Sequence, residues 1–483
     1  MFADLPVVET LAPEDGAFTF RDEAILGTRM LLMFVADSYR AAHEAALAVR
    51  AEIDRLNLVF NSRRPDSELF ALNTATEFRA SAELFEVLVR AEHWHSLSGD
   101  AFSARLGRVL EHWRVARGAP TRDEVAALAR AANDAILHID ATTRTVLRPA
   151  AIKFALDGIA KGWIVDRAFE LACAMPGIRG ALVDIGGDIR ASAVSPASGW
   201  HVGVIDPSRP FDNAPSIATV RLQNRAIATS GRGPRDRVIA GTRFSPTVDP
   251  RSGWPIERNS AASVIAANAA DADALATALL VMYAEDGIAF AHEHDAIARI
   301  TTATGEVAQT SSASAHFAAT AARETKPAPG LWQDGWQALA TFTAPRRQLI
   351  RDPQFRSPYM AMWITDQDNR PVRTLILIGK RADWQKDNFI WWSMNRERTE
   401  RLVATRSMST SAAGTYNVFW DGVNDAGERV TAGTYVLHVE TSRERGKHTY
   451  RSLTLDFGKF QRFNEVLPPT EEGGGLRVSF DHY

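Results

Sequence analysis

The sequence predicts an α+β domain followed by an all-β, Ig-like sandwich domain. Two observations carry this. Up to about residue 310, segments with helical three- and four-residue apolar spacing mix with short runs that alternate like antiparallel strands. Beyond about residue 331, strand-like runs recur between Asp/Asn/Gly turns, the pattern of a β-sandwich. The length of 483 residues accommodates two or three domains, and 46% hydrophobic with 23% charged residues is a globular balance. The net charge of −3 gives no reason to expect nucleic acid as a partner.

In chain order, residues 1–17 are read as an N-terminal extension and 18–310 as the α+β domain. Two apolar runs flank Leu26-Gly-Thr28 as a strand pair. Residues 38–58 form an amphipathic helix through Ala42, Ala45, Ala46, Val49, Ile53 and Leu56. Further helices are expected over 81–97, 102–115, 122–134 and 271–283. Ala181-Leu-Val-Asp-Ile185, Trp200–Ile205, Ile217–Leu222 and 262–267 are expected strands. The Ser/Ala-rich stretch 311–331 is read as a linker, 332–460 as the sandwich, and 461–483 as a C-terminal tail whose stretch Pro468–Gly475, rich in Pro, Glu and Gly, is expected to be mobile.

Cys173 is the sole cysteine, expected as a buried helical thiol, and it leaves no place for a disulfide or a cysteine metal site. No run of about 18 apolar residues predicts a transmembrane helix. The first residues lack signal-peptide features, which fits a cytoplasmic protein or an exported one already processed.

Four segments carry chemistry. In Asp157-Gly-Ile-Ala-Lys-Gly162, two glycines allow close backbone approach, a helix start offers N–H groups to phosphate, and Lys161 adds positive charge. Read alone it is better taken as a strand–turn–helix with a solvated lysine. Val183-Asp-Ile-Gly-Gly-Asp-Ile189 is a bulge, a tight backbone contact or a plain turn. Ala228-Thr-Ser-Gly231 and Phe244-Ser-Pro-Thr-Val-Asp-Pro-Arg-Ser-Gly-Trp-Pro255 are polar and turn-rich. In Ala270-Asp-Ala-Asp-Ala-Leu-Ala-Thr-Ala-Leu279, Asp273 and Thr277 share one helical face. Such a pair of hard oxygens suits Mg²⁺, though Asp271 or Asp273 could instead cap the helix.

Taken in order, these segments resemble the FAD:protein FMN transferases of the ApbE family. Gly27-Thr28, Ser67-Glu-Leu-Phe-Ala-Leu-Asn73 and Gly99-Asp-Ala-Phe102 through Trp113 belong to the same ordered set. The resemblance implies a Mg²⁺ site at the Gly158 carbonyl, Asp273 and Thr277. It implies flavin contacts near Leu26, Arg63, Ala101, Phe102, Ser103, Ala155, Asp157, Lys161 and Thr247. The implied reaction moves FMN from FAD to a Thr or Ser hydroxyl of an acceptor redox protein and releases AMP. Family members commonly work outside the cytoplasm, which implies the periplasm.

The chain departs from the family pattern at several positions: Leu26 stands where Met is usual and Ser103-Ala104 where Asp-Pro is usual, and two further changes bear on the chemistry. Ala155 stands where a carboxylate is usual, with Asp157 two residues on. Pro246 stands where a histidine, a plausible general base, is usual, and Asp249 is the nearest substitute in sequence. Lys161 and Asp249 are therefore the expected catalytic residues. An FAD-binding protein or FAD pyrophosphate hydrolase without transfer is the second reading, and an inactive adhesion or assembly module the third. Residues 332–460 resemble a bacterial domain of unknown function often fused behind such transferases, through Tyr359–Asp368, Trp420-Asp-Gly-Val-Asn-Asp-Ala-Gly427 and Ala432-Gly-Thr-Tyr435.

Overall fold

The computed structural model of the chain describes residues 17–116, 118–194, 199–205, 216–231, 237–239, 242–319, 332–333, 336–344, 359–379, 384–399, 402, 407–408, 414–443, 447–470 and 474–482. The extension at 1–16 lies outside them. The chain divides into two compact units, one holding nearly all of it up to Thr320 and the other Ala321–Tyr483.

The first unit is built on one eight-stranded sheet. Its strands lie in chain order: Ala17–Ile25, Thr28–Ala36, Ile178–Ile185, Asp188–Ala191, Arg225–Gly231, Asn259–Ala266, Ile297–Thr302 and Val307–Gln309. Both faces are covered, so the central strands read as continuous apolar runs. Ala181, Val183 and Ile185 pack into the core made with the helices α1 (Tyr39–Phe60), α6 (Ala160–Ala174) and α7 (Ala269–Val281). Leu182, Ile227 and Ile265 point to the opposite face, where a three-stranded sheet of Trp200–Ile205, Ser216–Leu222 and Phe317–Ala319 supplies Trp200, Val220 and Phe317.

Around this layer sit α2 (Glu68–Thr74), α3 (Ala82–Leu97), α4 (Gly107–Val115), α5 (Arg122–Asn133) and α8 (Ala284–Glu293). Ser38, Ser67, Ser81, Thr121 and Asn268 each accept a side-chain cap hydrogen bond at a helix start. The helix expected from 102 begins only at Gly107. Residues 104–105 pair instead with the 153–155 segment: Ala155 N donates to Ala104 O at 2.8 Å and Gly107 N to Lys153 O at 2.7 Å.

Three expectations need correction. Cys173 is exposed on α6 rather than buried; its helix buries Ala172 and Phe169 and turns this position outward. The stretch read as a linker is folded where it is described. Thr310 and Ala313 are buried, and Phe317–Ala319 pairs with Ala218–Val220, so the first unit runs past residue 310. Residues 320–331 lie outside the described residues.

The expected tail is also structural. Leu476–His482 pairs with both Trp336–Ala344 and Phe463–Leu467 and buries Leu476, Val478 and Phe480. That period-two pattern sits just behind the Pro/Glu/Gly turn that gave the segment its mobile look.

The second unit holds two β-sheets around one core. A four-stranded sheet takes Gly414–Trp420, Trp336–Ala344, Leu476–His482 and Phe463–Leu467. A five-stranded sheet takes Ser407–Met408, Pro371–Ile378, Tyr359–Thr365, Thr434–Ser442 and His448–Asp456. Phe342, Val418 and Phe480 from the first meet Met362, Ile376 and Val439 from the second. Trp420 and Tyr435 are buried there with ring centroids 5.0 Å apart. The Trp391-Trp392 pair lies on α9 (Phe389–Asn395), with Trp391 fully buried and Trp392 half-buried.

Candidate functional site

The site is organised by the crossing of α6 and α7. Gly162 lies so close to α7 that a Cβ there would stand 2.2 Å from the Ala269 carbonyl oxygen. Asp166, on the same face of α6, is almost fully buried. It accepts hydrogen bonds from Ala269 N (2.9 Å) and Ala270 N (3.0 Å) and pairs with Arg190 at 2.8 Å. It thus satisfies two free donors at the start of α7. The reciprocal cap also exists: α6 has no side-chain cap of its own, and its Gly162 N donates to Asp273 Oδ2 at 3.2 Å. Of the two aspartates expected as possible caps, neither is the N-cap of α7. Asn268 holds that position, with Asp271 bonded to it and to Trp94 Nε1.

This crossing gathers side chains distant in sequence. Lys161 Nζ lies 2.9 Å from Asp188 Oδ2, and the Asp188 carboxylate is within hydrogen-bonding reach of Asp273. A turn further along α7, Thr277 Oγ1 is 3.3 Å from Ser230 Oγ. A Cβ on Gly158 would stand 3.1 Å from Thr277 Oγ1 and 3.3 Å from the Phe102 ring, so the lysine–glycine loop sits directly over the Thr277 face. Burial, with Asp188 next in weight, pushes the Asp273 carboxyl well above the usual carboxylate range. Burial likewise raises Asp184, which accepts Gly187 N at 2.9 Å.

The segments expected at the flavin are braced around this cluster. Phe102 N donates to Ser98 Oγ (2.9 Å), and the Phe102 carbonyl meets His95 Nδ1 (3.0 Å). Ser103 Oγ lies 3.3 Å from Asn133 Oδ1. Arg105 ties the same stretch to Glu92 and to the Asn133 and Ala135 carbonyls. Asn73 clamps Phe154 through both its amide atoms, at 2.9 and 2.7 Å, and thereby fixes Ala155 beside Ala104. Leu26 and Gly27 form a left-handed turn, φ 49° and 77°, and the following Thr28 packs on Gly186. Thr247 is held by Ser245 and Ile256.

Three predicted residues stand differently. Arg63 and Asp157 are exposed, and neither is brought into the carboxylate cluster. Asp249 spends both carboxylate oxygens on Arg251 (2.9 and 2.8 Å) and its carbonyl on Gly253 N. It builds the turn that presents Trp254 to Trp113.

Residues 161, 188 and 273 come together only in three dimensions. The sequence reading did not assign Asp188, Asp166, Asp184 or Ser230. The one signal for the aspartates was a carboxylate set inside an otherwise buried strand or helix face, where a charge persists only with a partner or a ligand.

Gly158, Asp273 and Thr277 offer a carbonyl, a carboxylate and a hydroxyl, an all-oxygen set. Asp188 Oδ2 beside them is buried without an aligned hydrogen bond. Among the described residues no three His, Cys, Asp or Glu gather as a metal cage. The donors therefore fit a hard cation that completes its shell from phosphate and water, as Mg²⁺ does.

The family model described as ApbE family matches residues 26–301, and that described as Predicted periplasmic protein (DUF2271) matches residues 344–472. The FAD:protein FMN transferase of Treponema pallidum is 29% identical over 296 residues, which cover 56% of this chain and 81% of that protein. The protein of the same name from Vibrio cholerae is 31% identical over 258 residues, covering 50% and 76%. Among solved structures, the ApbE protein of Thermotoga maritima aligns with a TM-score of 0.56 at 25% identity, over 61% of this chain and 97% of that one. Apo flavinyl transferase ApbE of Pseudomonas stutzeri shares the fold, with a TM-score of 0.55 at 23% identity over 63% and 98%. The chain belongs to the ApbE family.

Proposed function

We propose that this transferase takes FAD as substrate and, with Mg²⁺, moves its FMN half to a Thr or Ser hydroxyl of an acceptor redox protein, releasing AMP. The observation that carries the reading is the convergence of Gly158 and Lys161 at the start of α6 with Asp273 and Thr277 on α7. A pyrophosphate is split only where its charge is neutralised. Mg²⁺, when bound, would supply that neutralisation at the phosphate oxygens. Gly158, Asp273 and Thr277 would hold it, and Lys161 would face the flavin nucleotide.

The acceptor hydroxyl oxygen forms a new P–O bond at the FMN-side phosphorus, its proton passing to water, the pyrophosphate bond breaks, and AMP departs with the bridging oxygen. Leu26, Ala101, Phe102, Ser103, Ala155 and Thr247 would line the flavin. Asp249, bound to Arg251, orders its loop rather than taking the proton. The second unit, read as an Ig-like sandwich, is assigned no part in the chemistry. Its family description supports a periplasmic location.

Pro246, an exposed residue without a proton-accepting side chain, motivates a second reading in which FAD is bound or hydrolysed without transfer. One assay separates the two. The protein is incubated with FAD, Mg²⁺ and a flavin-acceptor domain, and covalent flavin is read by in-gel fluorescence. Labelling that disappears in Asp273→Ala supports transfer and the metal assignment. AMP and FMN without labelling favour hydrolysis, and absence of FAD binding sinks both.

A further inference from the structure

Asp188 is the least accessible carboxylate of the cluster, its side chain 1% exposed. It stands on a short strand whose register is fixed on both sides, Asp188 opposite Ile185 and Ile189 opposite Asp184 and Ile227. The turn before it is pinned, with Gly186 N donating to Arg29 O at 2.9 Å. The backbone that carries the carboxylate is therefore held in place. The carboxylate meets Lys161 Nζ at 2.9 Å and neighbours the Asp273 carboxyl, and its Oδ2 has no aligned hydrogen bond.

We propose that Asp188 is a positioning residue that sets the charge balance of the cation site: it engages the Lys161 ammonium, so that the Asp273 carboxylate is left for a divalent cation. The inference rests on the Mg²⁺ reading above and adds to it a residue outside the Gly158–Asp273–Thr277 set. With Asp188 neutralised, the ammonium is drawn to the carboxylates left near it, Asp273 and the more distant Asp184. A cation must then displace that ion pair and meet a like charge at close range. With Lys161 neutralised as well, the competitor is gone and Asp273 is again available.

The test uses the full chain and Mn²⁺ as probe, with free Mn²⁺ followed by electron paramagnetic resonance and folding by near-UV circular dichroism. Asp188→Asn is expected to weaken Mn²⁺ binding about tenfold or more. Lys161→Met binds at least as tightly as the parent. The double substitution returns to within about threefold of the parent, a recovery that loss of packing alone does not produce. Unchanged affinity in Asp188→Asn, or a double variant as weak as Asp188→Asn, overturns the proposal. Should Asp188→Asn fail to fold, Lys161→Met decides: weaker binding than the parent refutes the charge-balance argument. A parent that binds no Mn²⁺ at all removes the Mg²⁺ reading together with this one.

Discussion

Gly162→Ala sets two physical effects against each other. In an isolated helix the change is favourable by roughly 0.5–1 kcal/mol, because alanine loses less backbone freedom than glycine. In this fold the added methyl would stand 2.2 Å from the Ala269 carbonyl oxygen, 2.6 Å from its carbon and 2.9 Å from Ala270 Cα. All three are backbone atoms at the start of α7, so no side-chain rotation relieves the contact. Restoring an ordinary separation moves the two helices apart by about 1.2 Å, a change that a close-packed core resists. Overpacking of this kind costs about 1–3 kcal/mol, so the helix-propensity gain loses and the net change is destabilising.

The same displacement reaches the chemistry. Asp273 lies one turn along α7, and its Oδ2 accepts the Gly162 amide at 3.2 Å. A misplacement near 1 Å in a positioned group lowers rate by about 10²-fold. Urea unfolding and covalent flavin transfer are the two assays. Gly118→Ala serves as control, since a Cβ there meets nothing within 4 Å. A Gly162→Ala protein as stable as the parent and equally active would falsify the account of the α6–α7 crossing.

Two further outcomes follow from the geometry. Because Asp249 is bound by Arg251, Asp249→Ala and Arg251→Ala should lower transfer to a similar extent; a collapse confined to the aspartate variant would restore Asp249 as the proton acceptor. In the second unit, burial pushes His438 down to about 4 from 6.5, while Thr365 and Tyr450 engage its two ring nitrogens at 2.8 and 2.7 Å. The unfolded chain takes up this proton first as pH falls, so the contribution is complete above about 6.5 and is lost progressively towards 4. With solvent screening it amounts to about 2 kcal/mol. The pH dependence of unfolding should flatten by that amount in His438→Gln, and identical slopes would argue against a neutral buried imidazole.

The elements legible in the sequence were those whose signal is local. Apolar spacing placed α1, and Thr121 with Glu124 marked the start of α5, where both halves of the capping box form. The α7 helix was read two residues late because Ala269 and Ala270 carry no signature of their own, while Asn268 caps them from outside the apolar run. The late strands were misread for the opposite reason. Pro468 and the glycines before Leu476 are genuine turn signals, but the strands on either side of them pair with each other, so the fold does not end there. The Ser/Ala stretch after Thr310 failed similarly: small residues suit a linker, and they also suit a core, where Ala313 is buried in one cluster with Ile297 and Phe317.

The site divides along the same line, and the division has a physical cause. Asp273 and Thr277 were visible because helical periodicity alone puts them on one face. Gly158 and Lys161 were visible because a glycine-flanked lysine before a helix has a chemical meaning even in isolation. Asp188 was not, because its role depends on two contacts that no sequence interval encodes: Lys161 lies 27 positions before it and Asp273 lies 85 after it. A buried carboxylate is costly unless something offsets its charge. An aspartate in an apolar strand is therefore itself evidence of a partner, even when the partner cannot be named from sequence. In this fold the partner is the lysine in the first turn of α6 and the neighbour is the carboxylate of α7. The first turn of α6, the Asp188–Ala191 strand and α7 each bring one ionisable side chain to the same spot, so replacing any one of them shifts the balance felt by the other two.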